Sequence, residues 1–237
     1  MEVFILYKKK DNFKYWNSVW SGDDYSRDEL RRLKASTKIE CLLKHVSVDS
    51  FWNVVDFGSG PGYVSEELYR RAKCNITCID SSEKAVALAK ERLKNFPFTF
   101  IFSDVCSSGL DTHGFDLAMC CGIIEHVIDR ELFLDEIQRV LKPGGILYVV
   151  SSNRYSMIWP QRILKQILGL WPFGYQVNIP FKQLSKLMSR HGFKIVEHEV
   201  INDIGDYRIL GKIDRWLSKI FPGFGRYVVM VCEKELR

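Results

Sequence analysis

From Phe51 onward the sequence alternates short apolar runs with segments of helical period, and no other feature restricts the fold as much. This is the pattern of βα units, which build a mostly parallel sheet with helices on both faces. Candidate strands are 52–57, 75–79, 98–102, 115–121, 146–151, 194–200 and 227–232. Candidate helices are 63–71, 82–95, 130–141 and 181–191. Ser82, followed by Glu83 and Ala85, marks a helix start, and Lys142-Pro143-Gly144-Gly145 a stop and turn.

With 237 residues, 46% of them hydrophobic, the chain can bury one substantial core, and a single domain (1–237) is expected. Residues 1–50 form a helical cap, with a helix over 26–46 and an aromatic cluster of Phe13, Tyr15, Trp16, Trp20 and Tyr25 ahead of it. Residues 51–152 form the ligand-binding core. An aromatic insertion over 153–180, containing Pro160, Pro172 and Pro180, follows the fifth strand as a lid, and 181–237 complete the sheet. The apolar stretches are too short to span a bilayer, and the opening run Met1-Glu2-Val3 with its later Lys8-Lys9-Lys10 has the wrong charge order for a secretory signal. The expected location is therefore cytoplasmic. The seven cysteines contain no C-x-x-C pair and read as small buried hydrophobes.

The core's first strand ends in Asp56-Phe57-Gly58-Ser59-Gly60-Pro61-Gly62 and runs into a helix. Glycines there permit φ > 0 and let a ligand lie against the backbone, and the helix start offers free N–H groups to an anion. The dinucleotide pattern G-x-G-x-x-G is not met, because the third glycine comes one residue early. Asp56 also adds negative charge where a pyrophosphate would lie. An acid there suits a ligand with an ammonium group, favouring S-adenosylmethionine over NAD. Asp80 ends the second strand, 18 residues past Gly62, placed to accept from ribose hydroxyls. Asp104 ends the third and suits an adenine amino group. Ser81 and Val105 beside them, and Cys121 at the end of the fourth strand, are further cofactor-binding candidates.

In these features the chain resembles the class I S-adenosylmethionine-dependent methyltransferases. The resemblance covers roughly 51–193: the loop at 56–62, Asp80, Asp104, Phe115-Asp116, Glu125-His126-Val127, Leu141-Lys142-Pro143-Gly144-Gly145 and His191-Gly192-Phe193. It implies a Rossmann-like seven-stranded α/β sheet whose seventh strand, 227–232, lies antiparallel beside the fifth. It also implies that the loop holds the methionine portion, Asp80 the ribose and Asp104 the adenine.

Methyl transfer from a sulfonium is an in-line displacement, so positioning is the main task, and a general base is needed only for a hydroxyl or protonated amine. His126 is the candidate base, with Glu125 to orient it; the same two residues suit a purely structural role. In some quinone-pathway O-methyltransferases that this segment resembles, Glu-x-x-Glu-His binds a divalent metal. Gly122 stands at the first of those positions, and no metal is expected. Asn-Pro-Pro-Tyr-type sequences of nucleobase amine methylation are absent, so DNA is not an expected partner.

Arg154, Tyr155, Trp159 and Arg162 of the insertion are candidate acceptor contacts, or else packing residues. Residues 151–237 carry a net charge of +7. An amphipathic stretch at 208–221 suits docking on an anionic membrane and equally suits packing on the chain's own domain. The expected acceptor is a small molecule or a glycan or lipid-linked intermediate, methylated on oxygen, with a quinone or natural product as the alternative. A nicotinamide or flavin oxidoreductase and a non-catalytic cofactor-binding subunit are the competing readings.

Overall fold

The computed structural model describes residues 9–21, 28–202, 208–221 and 223–236. Tyr25, Ser26 and the opening run lie outside these, as do the side chains of Phe13, Arg208, Ile209 and Leu210. Two helices lead, α1 (Lys9–Ser21) and α2 (Asp28–Leu43). The alternating core follows as β1 (Asn53–Phe57), α3 (Tyr63–Ala72), β2 (Asn75–Asp80), α4 (Glu83–Arg92), β3 (Thr99–Phe102), β4 (Phe115–Cys121), α5 (Arg130–Val140) and β5 (Leu141–Ser152). Then come α6 (Ile158–Ile167), α7 (Phe181–Arg190), β6 (Phe193–Ile201), α8 (Arg208–Ile220) and β7 (Tyr227–Lys234). Among the described residues no helix is long and apolar enough to cross a membrane.

The seven strands form one sheet in the order β3-β2-β1-β4-β5-β7-β6. All pairings are parallel except those of β7, which runs antiparallel to both β5 and β6. Strand order reverses between β1 and β4, and an open parallel sheet has its ligand crevice at the carboxyl ends of such strands.

The alternation of side chains along each strand splits the core in two. Val54, Leu117, Met119, Tyr148 and Val150 face α2 and α3 with Ile39, Leu42 and Leu68. Val55, Ala118, Cys120, Leu147 and Val149 face α5 and α7 with Phe133, Ile137, Leu184 and Met188. Both faces are apolar, which is why the central strands read as near-continuous hydrophobic runs.

Several boundaries differ from the sequence reading, and two of the differences lie at turns. Ser82 is the cap of α4 rather than its first residue, its Oγ accepting from the Ala85 amide at 3.2 Å. The Lys142–Gly145 turn is a bulge inside β5, where pairing passes from Phe115↔Leu141 to Leu117↔Ile146. Gly144 there has φ +73°, and Pro143 has no amide to pair.

Candidate active site

The turn after β1 is tied to its neighbour strand: the Gly58 and Ser59 amides donate to the Ile79 carbonyl at 2.8 and 3.1 Å. Gly58 has φ +65°, and a Cβ there would lie 2.4 Å from Ile123 Cδ1, so backbone alone fits. The Gly60 amide (φ +52°) donates to Asp80 Oδ2 at 2.8 Å, while Asp80 Oδ1 accepts from the Ser82 amide at 2.8 Å. Asp80 thus fastens the glycine turn to the start of α4. Burial pushes its carboxyl up, against the lowering effect of these amides.

A cleft of ≈ 430 Å³ opens beside this turn, within the range of about 300–1,000 Å³ usual for small-molecule sites. Gly58, Ser59, Gly60, Asp80, Ser81, Asp104, Val105 and Cys121 all line it. Asp104 also accepts from the Cys106 amide at 2.9 Å, which steadies the loop after β3. Gly62 and Asp56 do not line the cleft. Gly62 caps α3 in the left-handed conformation, its amide donating to the Ser59 carbonyl. Asp56 is 1% exposed behind the turn, accepting from Ser65 Oγ at 2.6 Å. Burial pushes its pKa up to about 7. The expected direct contact of Asp56 with a ligand's ammonium group is corrected accordingly.

His126 lines the cleft on the wall after β4. Its Nδ1 lies 2.7 Å from the Tyr175 carbonyl oxygen. A carbonyl only accepts, so Nδ1 carries the hydrogen and Nε2 keeps its lone pair. The Trp16 ring stands edge-on to the imidazole at 4.9 Å, and burial holds the His126 pKa below the usual 6.5. Glu125 does not orient it. Its carboxylate, 2% exposed, accepts from Ser151 Oγ at 3.1 Å and from the Ser152 hydroxyl and amide at 2.9 and 3.1 Å. Glu125 therefore holds the end of β5, and the residue that fixes the imidazole is Tyr175, through its backbone.

A methyltransferase-domain family model matches residues 55–149, the span from β1 to β5 that builds the cleft. Over this span the chain is similar to methyltransferase domains. It is 28% identical over 151 residues to a ubiquinone biosynthesis O-methyltransferase of Rhizobium etli, covering 61% of this chain and 60% of that one. A Rhizobium rhizogenes protein of the same name is 32% identical over 150 residues, 60% of each chain. The chain thus spans about 60% of the length of these curated relatives. Among solved structures, the complex of the Haloferax volcanii Trm112 methyltransferase activator with a methyltransferase matches with TM-score 0.72 at 18% identity, covering 93% of this chain and 98% of that one. Geranyl diphosphate C-methyltransferase from Streptomyces coelicolor matches with TM-score 0.71 at 14% identity, covering 95% and 97%. These structural matches share the fold.

The helices before the sheet close the cleft, which the sequence did not reveal. Trp16 and Trp20 of α1 and Arg31, Lys34 and Lys38 of α2 line it. Helix α1 is pinned across the cleft because Asn17 Oδ1 accepts from Ser82 Oγ at 2.8 Å and the Lys84 amide at 3.2 Å. Trp20 lies over the glycine turn, 3.1 Å from where a Gly60 Cβ would stand. On the outer side, Arg92 donates to the Pro61 carbonyl at 2.8 Å and stacks on Tyr63 at 4.0 Å. Buried Glu66 gathers Arg32, Arg70 and Arg92 and so joins α2, α3 and α4.

The four insertion candidates do not line the cleft. Arg154 lies over the Trp159 ring at 5.2 Å and Tyr155 is exposed. Arg162 is buried and donates to the Gln176 carbonyl at 2.9 Å. The insertion's link to the cleft is indirect, through the Tyr175 carbonyl that pairs with His126. Among the described residues no cluster of His, Cys, Asp or Glu side chains is arranged to hold a metal ion.

Proposed function

We propose that this chain transfers a methyl group from S-adenosylmethionine to a hydroxyl oxygen of a small, hydroxylated, ring-bearing molecule of the quinone-precursor type, with His126 as general base. The observation that carries this reading is the His126–Tyr175 hydrogen bond: it fixes the tautomer that leaves Nε2 as a proton acceptor in the cleft. A hydroxyl acceptor loses its proton as the new oxygen–carbon bond forms, and a neutral imidazole nitrogen can take it.

The cleft residues fit the methyl donor. Gly58 and Gly60 present bare backbone under Trp20, Asp80 offers carboxylate lone pairs to ribose hydroxyls, and Asp104 with Val105 meets the adenine. Arg31, Lys34 and Lys38 supply positive charge for the carboxylate of the donor's amino-acid portion. When bound, the sulfonium supplies an electrophilic methyl carbon. Nε2 of His126 would take the acceptor's hydroxyl proton as its oxygen displaces the sulfur from that carbon, leaving S-adenosylhomocysteine. Trp16 and Trp20 cover the site and keep water from the reacting atoms.

The names of the Rhizobium relatives support a quinone-type acceptor over the glycan and lipid-linked intermediates also considered. The test is incubation with methyl-labelled donor and a panel of dihydroxylated aromatic acceptors, with the product located by mass spectrometry. Label on a ring hydroxyl supports the reading, and label on nitrogen or ring carbon contradicts it.

A further inference from the structure

Helix α6 is built the wrong way round for a helix on a water-soluble surface. Such helices bury their apolar stripe. In α6 the outward positions are Leu164 and Ile167, continued by Leu168, at the spacing of one helix face, and Ile167 is 72% exposed. The side chain it buries is a cation, Arg162, which is 4% exposed.

Helix α8 repeats the pattern beside it. Buried Asp214 accepts from Ser156 Oγ and from the Met157 amide, both at 2.8 Å, so α8 is docked against the start of α6 by its polar residue. That contact turns Trp216 and Ile220 outward, at 60% and 51% exposed, among exposed Lys212, Arg215 and Lys219. Isolated surface hydrophobics are ordinary, whereas several on two joined helices mark an interaction surface.

The charge around this surface selects its partner. Helix α6 has no Asp or Glu, and Asp214, the acid within α8, is buried, while Lys212, Arg215 and Lys219 are exposed. We infer that the outer faces of α6 and α8 dock on an anionic lipid bilayer. Leu164, Ile167, Leu168 and Ile220 would enter the headgroup–acyl boundary, Trp216 would sit at that level with its ring partly wet, and the lysines and arginines would meet lipid phosphates. The loop after α6 carries Tyr175, whose carbonyl holds His126, so this surface is one hydrogen bond removed from a residue of the cleft. The docking itself does not depend on which reaction the cleft performs.

The test is co-sedimentation of the full chain with sucrose-loaded phosphatidylcholine vesicles, with or without about one third phosphatidylglycerol. Binding is expected only with the anionic lipid, weakening as salt is raised. Ile167→Glu with Leu168→Glu should reduce it roughly tenfold or more while the circular dichroism spectrum is unchanged, since both side chains already face solvent. Lys212→Glu with Lys219→Glu should do the same by charge alone. Three results would overturn the proposal: no binding to anionic vesicles, full binding by both double variants, or light scattering that finds a dimer which the Ile167/Leu168 variant splits into monomers.

Discussion

Nδ1 of His126 and the carbonyl oxygen of Tyr175 stand 2.7 Å apart, joining the wall after β4 to the loop after α6. The bond decides which ring nitrogen is available to a substrate. Because the partner is a backbone atom, no substitution of the Tyr175 side chain removes it directly.

His126→Ala is expected to lower kcat by about 10²–10⁴, the usual contribution of a positioned general base, while the dissociation constant for S-adenosylhomocysteine changes less than about threefold. Single-turnover kinetics and calorimetry on the same preparation separate the two. A variant that keeps full turnover would return His126 to a structural role.

The pH dependence follows from the same residue. Burial lowers the His126 pKa below 6.5, so the neutral ring persists at pH values where a free imidazole is already charged. In stability terms this contribution is complete above the unfolded pKa and lost as pH falls through the folded one. The acid limb of kcat/KM should therefore lie below pH 6.5. A limb centred above that value would mean that another group controls turnover.

Asp80→Asn keeps one carbonyl-type oxygen but removes the charge that Gly60 and Ser82 donate to. Losing charge-assisted hydrogen bonds of this kind costs about 1.5–3 kcal/mol, so affinity for S-adenosylhomocysteine should fall by roughly ten- to a hundredfold. Calorimetry measures it, with circular dichroism to verify the fold. Unchanged affinity would remove Asp80 from the ribose contact.

Asp56 carries a pH effect of opposite sign. Its folded pKa, about 7, lies above the ordinary 3.8 because burial penalises the charged form. The folded state thus prefers the protonated acid; its contribution is full below pH ~4 and lost as pH rises through ~7. Relative to Asp56→Asn, the wild type should lose several degrees of Tm between pH 5 and pH 8, on the scale of about 2–4 °C per kcal/mol for a domain this size. Parallel melting curves across that range would show that Asp56 does not titrate there.

The donor half of the site was legible in the sequence because strand ends and glycines are local signals. Asp80 ends β2 and Asp104 lies two residues past β3, and eight of the ten residues so chosen meet at one cleft. Asp56 is misread from the same pattern, since a linear sequence does not say which face of β1 a carboxylate takes. Trp16 and Trp20 were visible as part of an aromatic cluster, and Arg31, Lys34 and Lys38 as part of a helix over 26–46. Their place over the glycine turn depends on long-range bonds such as Asn17 to Ser82, which no spacing encodes. The role of Tyr175 was hidden further, because a backbone carbonyl leaves no mark in residue type. Glu125 was assigned to its sequence neighbour, while its hydrogen bonds go across the sheet to Ser151 and Ser152.

The central claim, that the cleft beside the 56–62 turn is a methyl-donor site, is tested most directly by calorimetric titration of the full chain with S-adenosylhomocysteine and with NAD. Saturable one-to-one binding of S-adenosylhomocysteine, weakened by Asp80→Asn and not displaced by NAD, is the expected result. Binding of NAD with no response to S-adenosylhomocysteine would contradict it.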